Sequence, residues 1–394
     1  MNIRGVYDNN LYPPLFGGAE RIFRIYRGLA RRADVSVLSL LRTRDSGARS
    51  ETVDGIRLER RKPVYPTLVS VGERLRLWPT FWTFGLHRAL GGRYAWHFRD
   101  PGAVYQFDTF LMSAFYDRVP AGALKVYHAV NVETEWYEPL LRRLFARRRW
   151  EGVLRDIERH ALQGADLVAH VSPRDGERFV AEFGARREKL FLVPNGLEPE
   201  RFGARDEEAR AGVRARLGFK PGQLVAVFTG SPMVHNLEAA RFILRQLAPA
   251  CASRTHLKFL LVGDVARGAL PPNARAVGTV PDVLPYLSAA DVALNPVTSG
   301  SGTSLKVPEY LAAGLPVVTT AFGMRGFEDL ADAVTTTDLA GMERAVDRAK
   351  PLPRDIRERL ARYAWDRQAE RLHRAYEAWF QDPGEAPARW ACID

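Results

Sequence analysis

A chain of 394 residues, 46% of them hydrophobic, with a formal net charge of +11 is too long for one core and ordinary enough in apolar content to be globular; two domains are expected. Its two cysteines, Cys251 and Cys392, exclude a disulfide scaffold and fit a reducing compartment. The positive excess sits in the first half of the chain, and the second half is nearly neutral.

The opening MNIRGVYDNN has neither a basic nor an apolar signal segment, so no secretory leader is expected. The longest weakly polar run, Leu311 to Met324, is broken by Gly314 and Pro316 and is too short to span a bilayer. A soluble, cytoplasmic protein is the expectation. Ile3–Tyr7 reads as a strand, Asp8–Gly18 as a loop, Ala19–Arg32 as an amphipathic helix and Val35–Leu40 as the next strand. RLRLWPTFWTFGLHRALGGRYAWHFR (74–99) mixes aromatics with arginine, and strands follow at Val104–Gln106 and Leu124–His128.

In LLRRLFARRRW (140–150), Leu140, Leu141, Leu144 and Phe145 mark one helical face, with Arg142, Arg143, Arg147, Arg148 and Arg149 around it. Such a stretch suits an anionic membrane surface, a nucleic acid, or simply a solvated arginine-rich face. No recognition motif accompanies the charge, so nucleic acid is not expected as a partner. Strands at Leu167–Val171 and Leu190–Val193 flank a helix from Asp175 to Phe183.

VPNGLEPERF (193–202) is punctuated by Pro and Gly and reads as a hinge. Beyond it the alternation restarts, with strands at Leu224–Thr229, Lys258–Val262, Ala276–Val280, Val292–Asn295 and Pro316–Thr320. Helices are expected at Glu238–Leu247, Val283–Ala290 and Lys306–Ala313, and a helical pattern runs from Arg354 to Gln381. Repeated strand–helix units imply α/β domains with parallel sheets. The expected division is 1–192, a hinge at 193–202, 203–364, and a C-terminal helix and tail at 365–394 that returns to the first domain. Two Rossmann-like halves would face across a cleft, with a ligand at the C-terminal strand ends.

NPVTSGSGTSLKVPEYLAAGLPVVTT (295–320) holds only two charges, Lys306 and Glu309. Pro308 restricts it to a first helical turn, and Gly314 stands where a left-handed residue ends a helix. Lys306 and Glu309 therefore fall in that first turn, behind a loop whose backbone amides suit an anion such as a diphosphate. The alternative is a plain (i, i+3) surface pair. Asp282 reads as a helix cap, and Glu20 as a first-turn acid.

SGTSLKVPEYLAAGLPVVTT (301–320) resembles the donor-binding segment of retaining GT-B glycosyltransferases of the group 1, family 4-like type, in which a Glu–x7–Glu motif precedes Ala-x-Gly-x-Pro-Val-Val. YPPLFGGAERIFRIYRGLA (12–30), VYHAVNVETEWY (126–137), GADLVAHVSPRDGERFVAEFG with LVPNGLEPERF (164–202), and FTGSPMVHNLEAARFIL (228–244) resemble further family segments in the right order. The set covers most of the chain.

The resemblance implies transfer of a sugar from a nucleotide-sugar to an acceptor hydroxyl, with retained configuration, no metal ion and no cofactor. It implies that Glu309 holds the ribose, Lys306 supplies positive charge, and amides at Thr303, Ser304 and Leu305, with Gly302, face the diphosphate. Gly17 and Gly18, Gly230 and Ser231, and the backbone of Val280 complete the donor side, and Asn131 lies on the acceptor side; Glu133 and Glu135 either position an acceptor there or, beside Trp136 and Tyr137, begin a surface helix. Three positions depart from the family pattern. Ser301 stands where the first Glu belongs, Ser231 and His235–Asn236 replace the basic residues after Gly230, and Val130 takes the histidine position. His128, two residues earlier on the same strand face, either substitutes for that histidine as a catalytic group or is a buried strand histidine.

The acceptor implied is a glycan, a lipid-linked intermediate or a small aglycone, in polysaccharide biosynthesis at the cytoplasmic face, with Arg142–Arg149 available to an anionic membrane. Two other functions share such an architecture: a nucleotide-sugar epimerase, and a non-catalytic nucleotide-sugar or glycan-binding protein, which the altered positions would suit.

Overall fold

The computed structural model describes the chain apart from residues 15, 42–49, 63–78, 145, 204, 267, 301 and 394. Met1–Asn195 and Trp365–Asp394 form one compact unit, and Gly196–Ala364 forms a second.

Among the described residues, the first unit carries β1 (Asn2–Tyr7), β2 (Asp34–Leu40), β3 (Ser50–Val53), β4 (Ile56–Arg61), β5 (Ala103–Phe107), β6 (Leu124–His128), β7 (Leu167–His170) and β8 (Leu190–Leu192). Their order is β3-β4-β2-β1-β5-β6-β7-β8, parallel throughout except for the β3–β4 pair. Successive side chains alternate faces, so Tyr105, Phe107 and Tyr127 enter one buried cluster while Val104 and Val126 enter another. Apolar residues on both faces are what a helix-covered parallel sheet demands.

Four helices of this unit bear on function: α1 (Gly17–Ala30), α2 (Glu133–Leu141), α3 (Arg147–Gly164) and α4 (Pro173–Phe183). Sequence chemistry fixes α4 at both ends. Ser172 Oγ accepts the Asp175 amide at 3.1 Å, Pro173 opens the helix, and Gly184 ends it at φ +67°. The returning C-terminal helix, which belongs to this unit, packs on α1 where Gly28 allows close approach: a Cβ there would lie 2.4 Å from Cβ of Ala369.

The second unit has β9 (Leu224–Thr229), β10 (Leu257–Val262), β11 (Ala274–Val277), β12 (Val292–Asn295), β13 (Val317–Thr319) and β14 (Thr335–Thr336), ordered β11-β10-β9-β12-β13-β14 and all parallel. The helices that matter are α5 (Val234–Phe242) and α6 (Lys306–Ala312); α7 (Trp365–Gln381) is the helix that returns to the first unit. Connections leave in opposite directions at β9 and β12, so this is the topological switch point, where α/β sheets place ligands.

Several expectations are corrected. LLRRLFARRRW is not one helix: α2 ends at Leu141, Ala146 adopts φ +57°, and α3 starts at Arg147. Leu141 and Leu144 are still buried and the five arginines exposed, but Arg142 pairs with Glu138 at 2.7 Å and Arg147 with Glu151 at 2.5 Å. Phe145 and residues 74–78 lie outside the described residues. The helix expected from Ala19 starts at Gly17, and β11 ends at Val277 rather than Val280. The β3–β4 hairpin was missed although Asp54 (φ +49°) and Gly55 (φ +80°) form its turn, a dipeptide that marks hairpins.

Candidate functional site

Helix α6 hangs between β12 and β13 and is fastened to β9. The hydroxyl of its buried Tyr310 accepts the Thr229 amide and bonds Thr229 Oγ1, both at 2.9 Å. The helix ends, as its sequence indicated, with Gly314 at φ +77°. The loop before it turns at Gly300 (φ +119°) and Gly302 (φ +66°). Buried Asn295, the last residue of β12, holds that loop to the one after β13 by donating to Ser304 Oγ at 3.2 Å and Gly323 O at 3.0 Å.

This anchoring sets Lys306 at the end of β9. Its Nζ donates to Asn236 Oδ1 at 2.8 Å and lies 5.8 Å from the centre of the Phe228 ring. Asn236 in turn donates to the Ser231 carbonyl at 3.0 Å. Burial draws the Lys306 ammonium down to about 8, with the Glu309 carboxylate opposing the shift. Beside it, His235 is lowered to about 4, first by burial and then by the charges of Lys306 and Arg325. Arg325, 9% exposed, donates from Nη1 to Gly300 O at 2.7 Å and lies flat over Phe322, 3.5 Å from the ring centre.

Lys306, Glu309, Gly230, Ser231, Gly302, Thr303, Ser304 and Leu305 thus stand on the strand-end loops of β9 and β12 and on the start of α6. Ser301 lies outside the described residues. Val280 stands beyond the end of β11, with its side chain packed on the core of the second unit. The amide of Ser304 is not open as expected, because it donates to the Arg325 carbonyl at 3.2 Å. At seven residues α6 is also short, so the positive character here comes from side chains more than from a helix dipole. The sequence reading missed Arg325; its signal was a lone basic residue in the loop that follows β13, in AFGMRGF (321–327).

In the first unit, His128 closes β6 and is fully buried. Arg21 Nε donates to its Nε2 at 3.1 Å, which fixes the proton on Nδ1, and Nδ1 donates to Asp108 Oδ1 at 3.0 Å. Tyr26 donates to the other Asp108 oxygen at 2.5 Å, Gln106 donates to Oδ1 at 2.7 Å, and Tyr376 of α7 donates to Gln106 at 2.7 Å. Burial keeps the imidazole below its ordinary value. The catalytic role expected of His128 therefore meets a ring with both nitrogens engaged and no exposed surface; the strand-histidine alternative describes it. Arg21 also donates to the carbonyls of Val193 and Pro194 and to Asn195 Oδ1, at 2.6–3.0 Å.

Gly17 is exposed and Gly18 lies beside Val130, whose Cγ1 would be 3.6 Å from a Cβ there. Asn131 is partly buried just before α2. The amides of Glu133 and Thr134, at the start of that helix, donate to buried Glu158 of α3 at 2.8 and 3.1 Å, and burial raises the Glu158 carboxyl to about 7. Glu135 pairs with Arg178 at 2.8 Å.

Comparison with known proteins matches residues 16–196 to the model of a glycosyl transferase 4-like domain and residues 223–349 to that of glycosyl transferases group 1. The 2-deoxystreptamine glucosyltransferase of Streptomyces kanamyceticus is 28% identical over 212 residues, covering 50% of this chain and 53% of that protein. The chain spans little more than half the length of the curated relatives it matches. Among solved structures, sucrose-phosphate synthase from Thermosynechococcus elongatus superposes with a TM-score of 0.71 at 17% identity, over 97% of this chain and 100% of that one. Anabaena HepE, solved with UDP and glucose, gives 0.64 at 14% identity over 95% and 99%. These structures share the GT-B fold, built from two Rossmann-like units.

Proposed function

The chain belongs to the glycosyl transferase family that those two models describe, and from that premise we propose that it moves a sugar from a nucleotide-sugar to an acceptor hydroxyl, with retention and without a metal ion. The observation that carries the proposal is Lys306: a partly desolvated ammonium held by Asn236 at the switch point of the second unit. A cation in that setting stabilises the charge that develops on a departing diphosphate, and its reduced hydration strengthens the interaction. Glu309, three residues on, accepts the ribose hydroxyls, and the Thr303 and Leu305 amides face the phosphates. A diphosphate oxygen takes the proton of the attacking hydroxyl, so no side-chain base is required. His128 is a positioning residue in this reading.

The first unit, with Asn131 and Glu133, is assigned to the acceptor, a glycan, lipid-linked intermediate or small aglycone. Among the described residues no helix is long and apolar enough to cross a membrane. Cytoplasmic residence with docking on anionic lipid through Arg142–Arg149 is the accompanying proposal. Changing Arg147, Arg148 and Arg149 to Glu should abolish co-sedimentation with anionic vesicles; undiminished binding would remove the membrane from the picture.

The function itself is tested by thermal melting of the full chain across nucleoside diphosphates and nucleotide-sugars, beside Glu309→Ala. Stabilisation by one nucleotide, lost in the variant, is expected, followed by release of that nucleoside diphosphate when acceptors are supplied. A wild-type protein that binds none of them is not a nucleotide-sugar enzyme. Binding without transfer to any acceptor would favour the non-catalytic binding protein.

A further inference from the structure

We infer that Arg325 is the second cation of the diphosphate site, acting beside Lys306 on the same pair of phosphates. The inference rests on the donor-site reading above and extends it to a residue on a different strand-end loop. Lys306 stands on the β12 side of the loop pair and Arg325 follows β13, yet both converge on the start of α5: Arg325 Nη1 donates to Gly300 O at 2.7 Å, a Cβ on Gly300 would lie 3.2 Å from Nδ1 of His235, and the next residue, Asn236, accepts from Lys306 Nζ at 2.8 Å. A guanidinium and an ammonium that converge from two loops suit the two adjoining phosphates of a diphosphate.

The local build holds the guanidinium in one orientation. It is stacked on Phe322, and its Nη1 takes the carbonyl of Gly300. Its own backbone carbonyl receives the Ser304 amide, which ties Arg325 to the loop that carries Gly302 and Thr303. Ser231 and His235 occupy the loop after β9, so no arginine or lysine comes from there. A guanidinium is a planar fork suited to two phosphate oxygens at once and stays charged at every relevant pH. Lys306, with its lowered affinity for a proton, does not. The pair thus joins a fixed bidentate donor to a titrating point charge.

Isothermal titration of the full chain with UDP and uridine, and with GDP and guanosine, tests the assignment in wild type, Arg325→Ala, Arg325→Gln and Lys306→Ala. The expected result is a fall of roughly ten- to a hundred-fold in diphosphate affinity for Arg325→Ala, the range for losing a charged hydrogen-bond partner. Nucleoside affinity should be unchanged. Arg325→Gln, which keeps a donor for Gly300 but no charge, should lose as much, and it serves if the alanine variant does not fold. Equal weakening of nucleoside and diphosphate, or full rescue by Gln, would make Arg325 only a loop clamp and overturn the assignment. Loss in Lys306→Ala alone would overturn it too, leaving the donor site standing. If neither variant changes diphosphate binding, or wild type binds neither UDP nor GDP, the donor-site reading falls with it.

Discussion

Around His128, at the ends of β5 and β6, each charged group meets a counterpart. Arg21 faces the imidazole and the carbonyls of Val193 and Pro194, Asp108 collects donors from Tyr26, Gln106 and His128, and all of them are shut away from solvent. Around His235, at the ends of β9, β12 and β13, positive charge is in local excess: Lys306 and Arg325 press on one partly buried imidazole, against Glu238 on His235 and Glu309 on Lys306. Both clusters sit at strand ends of parallel sheets, so position alone does not distinguish them. A matched, dry network specifies and holds a fold, whereas a desolvated cation with a perturbed titration at a strand end is the pattern of a functional site. That difference, more than the number of polar residues, supports the proposed donor site in the second unit.

The largest effect should come from breaking the matched cluster. Arg21→Ala leaves Asp108 and His128 facing a buried gap and should destabilise the protein by about 3–5 kcal/mol, the cost of stranding a buried charge, as read by urea unfolding. A near-neutral result would erase the distinction between the two clusters.

Next comes the crowded cluster, where Lys306→Ala should cost about ten- to a hundred-fold in affinity for the bound nucleoside diphosphate. Its melting temperature should change little, since the desolvation cost of the ammonium is removed together with its bond to Asn236; a protein that loses affinity by unfolding would contradict this contrast.

The pH dependence sharpens the comparison further. Lys306 is charged below about 8 and neutral above it, so diphosphate affinity should fall as pH rises through that value, by at most about tenfold per pH unit. In Lys306→Arg the curve should be flat over the same range, because guanidinium keeps its proton. A wild-type curve without a break near pH 8 would place the ammonium in a more hydrated setting.

The smallest effect concerns Glu158, a first-unit carboxyl held by two backbone amides. Its folded-state value of about 7 lies above the ordinary 4.5. The folded protein therefore binds the extra proton between these values; the stabilisation is full below about 4.5 and is lost as pH rises through about 7. Glu158→Gln should remove this slope, changing the melting temperature by a few degrees across the interval. A slope that survives the substitution would belong to another group.

Much of the loop and helix around Lys306 is legible in the amino-acid sequence alone. Pro308 and Gly314 bracket α6 because one is tolerated only in a first turn and the other favours positive φ, and both are local properties of the chain. Ser172 and Pro173 announce α4 in the same way. The split at Ala146 was not readable from the leucine spacing, since Leu141 and Leu144 remain buried on either reading. Arg325 escaped because it lies outside the resemblance motifs and its relevance depends on Gly300 and His235 coming near.

The sequence by itself determined the alternation of strands and helices, the predominantly parallel character of the sheets and the bracketing of α6, because periodicity, proline and glycine act within a few residues. Only the tertiary structure decided which groups meet: Arg21 with His128, Tyr376 of the returning helix with Gln106, Lys306 with Asn236 and Arg325 with Gly300. A pattern of apolar residues specifies which face of an element is buried, but not which polar group waits on the other side. Whether a histidine is sealed by partners or a lysine is held partly desolvated is settled by burial and charge at the assembled strand ends.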